Sequence, residues 1–248
     1  AIGINLLLAS CLLNISYADS APLDFQLDMS EGGRLTAKSI SQFESYMTEQ
    51  GCDLEVNTQA KQGNENSPDL YFSALSHIYN NKGIQPPLTK ALSVATINNE
   101  PLTITILIKS STNVDDISSL TGERLAIISH NSYLGGLHAK DLLSKFGASL
   151  DKQKIYETGN YFGAMSLLLH GDVFIAAIPG PLARQWKTYN KLSIITESEP
   201  LESGGMFIKP SVPQTIRSLC IAAFTSLKKE HRRDKKMDIF PSWLGGFQ

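Results

Sequence analysis

The stretch RLAIISHNSYLGGLHAKDLLSKFG, Arg124 to Gly147, decides how the rest of the chain is read. Leu125 to Ile128 is an unbroken apolar run of strand length, and Ser129 to Ser132 is a small polar turn. From Tyr133 onward, apolar residues recur at helical spacing until the stop at Gly147. A strand that feeds a helix through a polar turn aims the first unpaired helical N–H groups at whatever occupies that turn. The positive end of the helix dipole points there too. Asn131 and Ser132 are residues that cap such an end or bind an oxyanion. The Gly135–Gly136 pair admits a close neighbour, either a ligand or another stretch of backbone. The turn is neither a GxxxxGK[ST] phosphate loop nor a GxGxxG dinucleotide fingerprint.

Outward from this stretch the rhythm is regular. KIYET is a strand and YFGAMSLLLHG a helix; VFIAAI is a strand, PGPLARQWKTYN a short helix and LSIIT a strand. Alternation of strand and helix with short links predicts a parallel sheet covered by helices, and the continuous apolar runs suit buried parallel strands. Towards the N-terminus, PLDFQLDMS and DLEVNT read as strands flanking a helix over LTAKSISQFESYMTEQG. QAKQGNENSPD is a loop, and LYFSALSHIYNNKG starts as strand and continues as helix. LSVATI and LTITILIK are strands separated by the turn-like NNEP, a pattern that predicts a hairpin or near-hairpin before residue 110. Towards the C-terminus, MFIKP is a strand. TIRSLCIAAFTSLKKE is an amphipathic helix with Ile216, Leu219, Cys220, Ala223 and Leu227 on one side. The basic run Lys228 to Lys236 reads as its solvated end.

Composition narrows the function classes. The 248 residues are 42% hydrophobic with a net charge of −2, which gives no global basic field for nucleic acid or an anionic membrane. The first 18 residues are apolar from Ile2 to Ile15 and end in Ser16-Tyr17-Ala18, the h-region and cleavage site of a secretory signal that lacks a basic n-region. Leu8-Ala9-Ser10-Cys11 also fits a lipoprotein cleavage box, with lipid on Cys11. Export places Cys52 and Cys220 in an oxidising compartment, where they either pair or remain two separate buried thiols. The five His form no HExxH or clustered metal pattern, and Ser132 has no GxSxG elbow around it, so the expectation is a protein without metal, cofactor or catalytic site. His130 reads as a surface residue beside the turn. Tyr71, Phe72, Tyr161 and Trp186 are candidates to line a cleft, whereas Phe162 reads as core.

The order of these pieces resembles the phosphonate-binding proteins of ABC importers, within the type II periplasmic solute-binding superfamily. DLYFSALSHIYNNKG resembles that family's segment at the first lobe's binding edge. ISSLTGERLAIISHNSYLGGLHAKDLLSKFG resembles its strand–turn–helix block, and ETGNYFGAMSLLLHGDVFIAAI its next block. SEPLESGGMFIKPSVP resembles its return crossing. The resemblance implies a two-lobed α/β fold with two crossing segments and a central cleft. It places lobe one at residues 21–109 and 198–248, and lobe two at 110–197. It also implies a monomeric periplasmic receptor that closes on a small anionic ligand, phosphonate- or phosphate-like or a carboxylate, and hands it to an ABC permease. The alternative is a receptor that signals closure to a membrane sensor protein.

By the same resemblance the ligand-binding residues are Asn131, Ser132, Tyr133, Asn160 and Tyr161 on lobe two, with Tyr71 and Ser73 closing from lobe one. The family's serine at the helix start falls on Ser132. Its next two hydroxyl residues fall on Tyr133 and Leu134, its histidine falls on Tyr161, and its later acidic residue falls on Pro179.

Overall fold

The computed structural model describes residues 21–58, 67–76, 88–112, 114, 116–148 and 154–248. The expectations for the leader, for most of the Gln59–Asp69 loop and for a helix after Ser76 lie outside the described residues. No helix among the described residues is long and apolar enough to cross a membrane.

Two sheets build two lobes. The first contains β1 (Leu23–Leu27), β2 (Leu54–Asn57), β3 (Leu70–Leu75), β4 (Thr89–Thr96), β10 (Ser203–Ile208) and β11 (Leu244–Phe247), in the order β11-β4-β10-β3-β1-β2. The second contains β5 (Ile104–Lys109), β6 (Leu125–Ile127), β7 (Ile155–Glu157), β8 (Ile175–Pro179) and β9 (Leu192–Glu197), in the order β7-β6-β8-β5-β9. β4 and β5 therefore lie in different sheets, and the expected hairpin is not formed. NNEP is instead part of the first crossing between lobes, and residues 198–202 make the second. The second sheet is also mixed rather than parallel. β6 runs parallel to β7 and β8, but β5 is antiparallel to both β8 and β9.

The helices pack where their apolar faces require. α1 (Ala37–Glu49) starts in a capping box in which Thr36 and Ser39 satisfy each other's backbone N–H groups, and it buries Phe43 and Met47. The helix predicted from Tyr133 begins as a wide π turn, Tyr133–His138, and continues as α2 (Ala139–Lys145). α3 (Tyr161–His170) and α4 (Gly180–Tyr189) cover the second sheet. α5 (Gln214–Ser226) packs against α1, β4 and β11.

The basic run does not extend α5. It forms a separate 3-10 turn at Lys229–Arg232, and Arg232 turns inward to donate to the carbonyls of Met237, Pro241 and Leu244. Behind it, Phe240 and Phe247 join Phe25, Phe43, Phe72 and Phe224 in one aromatic core. Phe72, a candidate for the cleft, is thus core. A disulfide between Cys52 and Cys220 links the end of α1 to α5 across 168 residues of chain. Closing so long a loop removes unfolded-state entropy worth up to about 5 kcal/mol.

Candidate functional site

Both lobes contribute to one buried polar cluster. On lobe two, the turn after β6 presents its helix start. Ser132 is fully buried, and its Oγ accepts from Gly135 N at 2.8 Å. The first two N–H groups of the helix are those of Tyr133 and Leu134. Both donate to Oε1 of Glu31, at 2.8 and 3.1 Å, while Ser132 Oγ donates to Glu31 Oε2 at 2.9 Å and Tyr161 Oη to the same oxygen at 3.4 Å. Glu31 comes from lobe one, on the loop after β1, and is wholly buried. The donors of this turn therefore converge on a carboxylate of the same chain, which takes up both N–H groups and the Ser132 hydroxyl.

The glycine pair makes this contact possible. A Cβ at Gly136 would lie 2.2 Å from the Ser129 carbonyl oxygen, and one at Gly135 would lie 2.9 Å from Tyr161 Oη. Gly136 lets the helix start close on its own turn, and Gly135 leaves room for the tyrosine to reach the cradle. Both serve close packing within the protein.

Burial dominates the electrostatics. Loss of water pushes the Glu31 carboxyl up to about 7, against the pull of the Leu134, Ser132 and Tyr133 donors, and the nearby Asp28 adds repulsion. Burial likewise pushes the Tyr161 phenol up, with Glu31 beside it adding to the effect. Tyr161 is therefore a neutral donor at any physiological pH.

Next to this cluster lies an open cavity of about 530 Å³, bounded by Glu31 and Arg34 from lobe one, Asn160, Tyr161 and Phe162 from lobe two, and Arg232. Phe162 is 61% exposed at this wall and packs on Trp186 at 5.2 Å, so the core role expected for it is wrong. Its place on α3, one residue after the buried Tyr161, turns it outward. Burial lowers the Arg232 guanidinium to about 10, still charged at neutral pH.

The expected site residues separate in space. Ser132, Tyr133 and Tyr161 meet on Glu31. Asn160 caps α3 by accepting from Gly163 N at 2.8 Å and also borders the cavity. Tyr71 is one step removed: its hydroxyl donates to Asp28, the residue whose charge acts on Glu31. Ser73 is buried and donates to the Leu75 carbonyl, within its own strand. Asn131 is exposed, with its N–H bound to Ser129 Oγ. His130 is exposed near Glu157 and Lys140, and no group of His, Cys, Asp and Glu among the described residues could hold a metal ion. Sequence reading passed over Glu31, Arg34 and Arg232. For Glu31 the available signal was an acidic residue followed by Gly-Gly directly after the first strand.

Two α/β lobes, two crossings and a polar cluster held between the lobes define a solute-binding protein of the type II periplasmic kind. The family model described as "ABC transporter, phosphonate, periplasmic substrate-binding protein" matches residues 87–248, and the chain belongs to this family. No curated protein sequence matches the chain. Among solved structures, PhnD1 of Prochlorococcus marinus in complex with methylphosphonate is similar, with a TM-score of 0.62 at 10% identity over 91% of each chain. The binding component of a phosphonate ABC transporter from Pseudomonas aeruginosa has a TM-score of 0.59 at 11% identity, over 92% of this chain and 81% of that one. A Xanthomonas citri protein bound to chloride ion has a TM-score of 0.58 at 12% identity, over 92% and 91%. At these identities the likeness concerns the fold.

Proposed function

We propose that the chain is an exported solute receptor that captures a small molecule with one anionic group, such as a carboxylate, in the interlobe cavity and delivers it to an ABC permease. The observation that carries this reading is the cavity itself. Its walls come from both lobes, so a bound solute makes contacts in the closed state that the open state lacks, and it shifts the population towards closure. Arg34 and Arg232 supply positive charge for the anionic end, and Phe162 supplies an apolar face. Such a pocket, mostly preformed with a few polar groups, suits a small organic ligand.

A thermal-shift screen of carboxylates, sulfonates, amino acids and phosphonates tests this. A solute present at 100 times its Kd adds about 2.7 kcal/mol, a rise of several degrees for a chain of this size. Arg34 and Phe162 are both exposed, so Arg34→Ala and Phe162→Ala should leave the fold intact while weakening the hit about tenfold each, which is about 1.4 kcal/mol. No hit across the panel, or a hit that both variants bind as well as wild type, would count against capture in this cavity.

A further inference from the structure

The cradle on Ser132, Tyr133 and Leu134 has the donors an oxyanion needs, yet both oxygens of a carboxylate from the opposite lobe already use them. We propose that Glu31 is a specificity-determining residue of this site: a tethered carboxylate that keeps the cradle for itself, turns away free phosphonate and phosphate, and leaves the neighbouring cavity to the captured solute. This rests on the solute-receptor reading above and adds what the receptor rejects.

Three observations carry it. First, the fit is that of ligand and site. Oε1 receives two backbone N–H groups and Oε2 receives two hydroxyls, so no cradle donor is left for a second anion. Such charge-assisted contacts are the stronger kind of hydrogen bond. Second, the attachment is short. Glu31 lies four residues beyond the end of β1, and the adjoining Gly32 lies against lobe two, where a Cβ would be 3.8 Å from Ile128 Cδ1. A group held this way competes at an effective concentration on the order of millimolar or above, and a free anion must overcome that before it gains any contact. Third, a dianion drawn to the same pocket would meet Glu31 with Asp28 behind it, so displacing the carboxylate without neutralising it adds like charge to a buried space.

Calorimetric titration of methylphosphonate and of inorganic phosphate at pH 8 tests the proposal, using wild type, Glu31→Ala and Glu31→Ala/Ser132→Ala. Wild type should bind both weakly. Glu31→Ala should bind at least one of them tenfold or more tighter, and adding Ser132→Ala should remove that gain. A folded Glu31→Ala no tighter than wild type would overturn the proposal, as would a gain that survives loss of the Ser132 hydroxyl. If Glu31→Ala fails to fold, Glu31→Gln, which keeps the shape and removes the charge, should still tighten binding, and the absence of any gain there overturns the proposal equally. The two readings fail separately. A solute that binds wild type and is weakened by Phe162→Ala upholds the receptor even when Glu31 variants gain nothing.

Discussion

At Glu31, burial and hydrogen bonding act on one carboxyl in opposite directions, and burial wins. Its value of about 7 in the folded chain lies above the ordinary 4.5, so between these limits the folded state holds a proton that the unfolded state has released. Stability from this group is therefore greatest on the acid side: it rises as pH falls through about 7 and is complete near 4.5. The size is on the order of 3 kcal/mol, or roughly 5 to 10 °C in Tm. The charged and titratable groups around it are Asp28 on its own loop, Tyr161 on α3, and Arg34, Arg232 and Asp238 at the cavity, with Tyr71 bonded to Asp28. Of these, Asp28 adds to the upward push on Glu31, and Tyr161 stays protonated throughout this range. Thermal unfolding from pH 8 to pH 5 should show Tm rising in wild type more steeply than in Glu31→Gln, the difference between the curves isolating this carboxyl. Parallel curves would mean that the Leu134 and Tyr133 donors hold Glu31 ionised throughout.

The π turn at Tyr133–His138 is the element on which the site depends, because its wide start, with Leu137 N donating to Ser132 O at 2.8 Å, leaves the Tyr133 and Leu134 N–H groups pointing out of the helix. Gly136→Ala puts a methyl group against a backbone oxygen that no side-chain rotation can move. The expected cost is about 3 kcal/mol, a Tm loss of roughly 5 °C or more, measured by thermal unfolding; an unchanged Tm would show that the turn can widen freely. The existence of this strand–turn–helix was legible in the sequence, since local pattern alone gives the apolar run from Leu125, a cap at Asn131 or Ser132 and the apolar spacing of the helix; the structure puts the cap on Ser132. What local pattern leaves open is pairing at a distance. Glu31 and Ser132 are 101 positions apart, and nothing in SEGGR says which lobe its carboxyl will meet. The same limit explains the hairpin expected at NNEP, because two adjacent strands with a turn between them look identical whether they pair or part. The short WLGGF stretch completes the first sheet as β11, where the fully buried Trp243 and Phe247 anchor it.

At the scale of the whole molecule, the described segments on both sides of lobe two build lobe one, so the lobes touch through two crossings and through whatever bridges the cleft. The crossings are tied together: Arg184 on α4 binds Glu100 in the first and Glu197 at the end of β9, just before the second, and Thr103 also donates to Glu197. The disulfide fixes the two chain segments of lobe one to each other, but it spans no cleft. Glu31 does span it. In a receptor of this architecture the bound solute ordinarily supplies the closing contacts, whereas here a residue of lobe one already makes four of them to lobe two. The ligand-free chain should accordingly populate the closed form, and a solute entering the side cavity reinforces closure rather than creating it. Small-angle scattering reads this directly. Without solute, wild type should have the radius of gyration of a compact chain of its size, about 18 Å. Glu31→Ala/Ser132→Ala should be measurably larger, because the crossings alone permit hinge opening. Equal radii would place the closing force in the Arg184 clamp and the rest of the interface, and Glu31 would then select solutes without holding the lobes together.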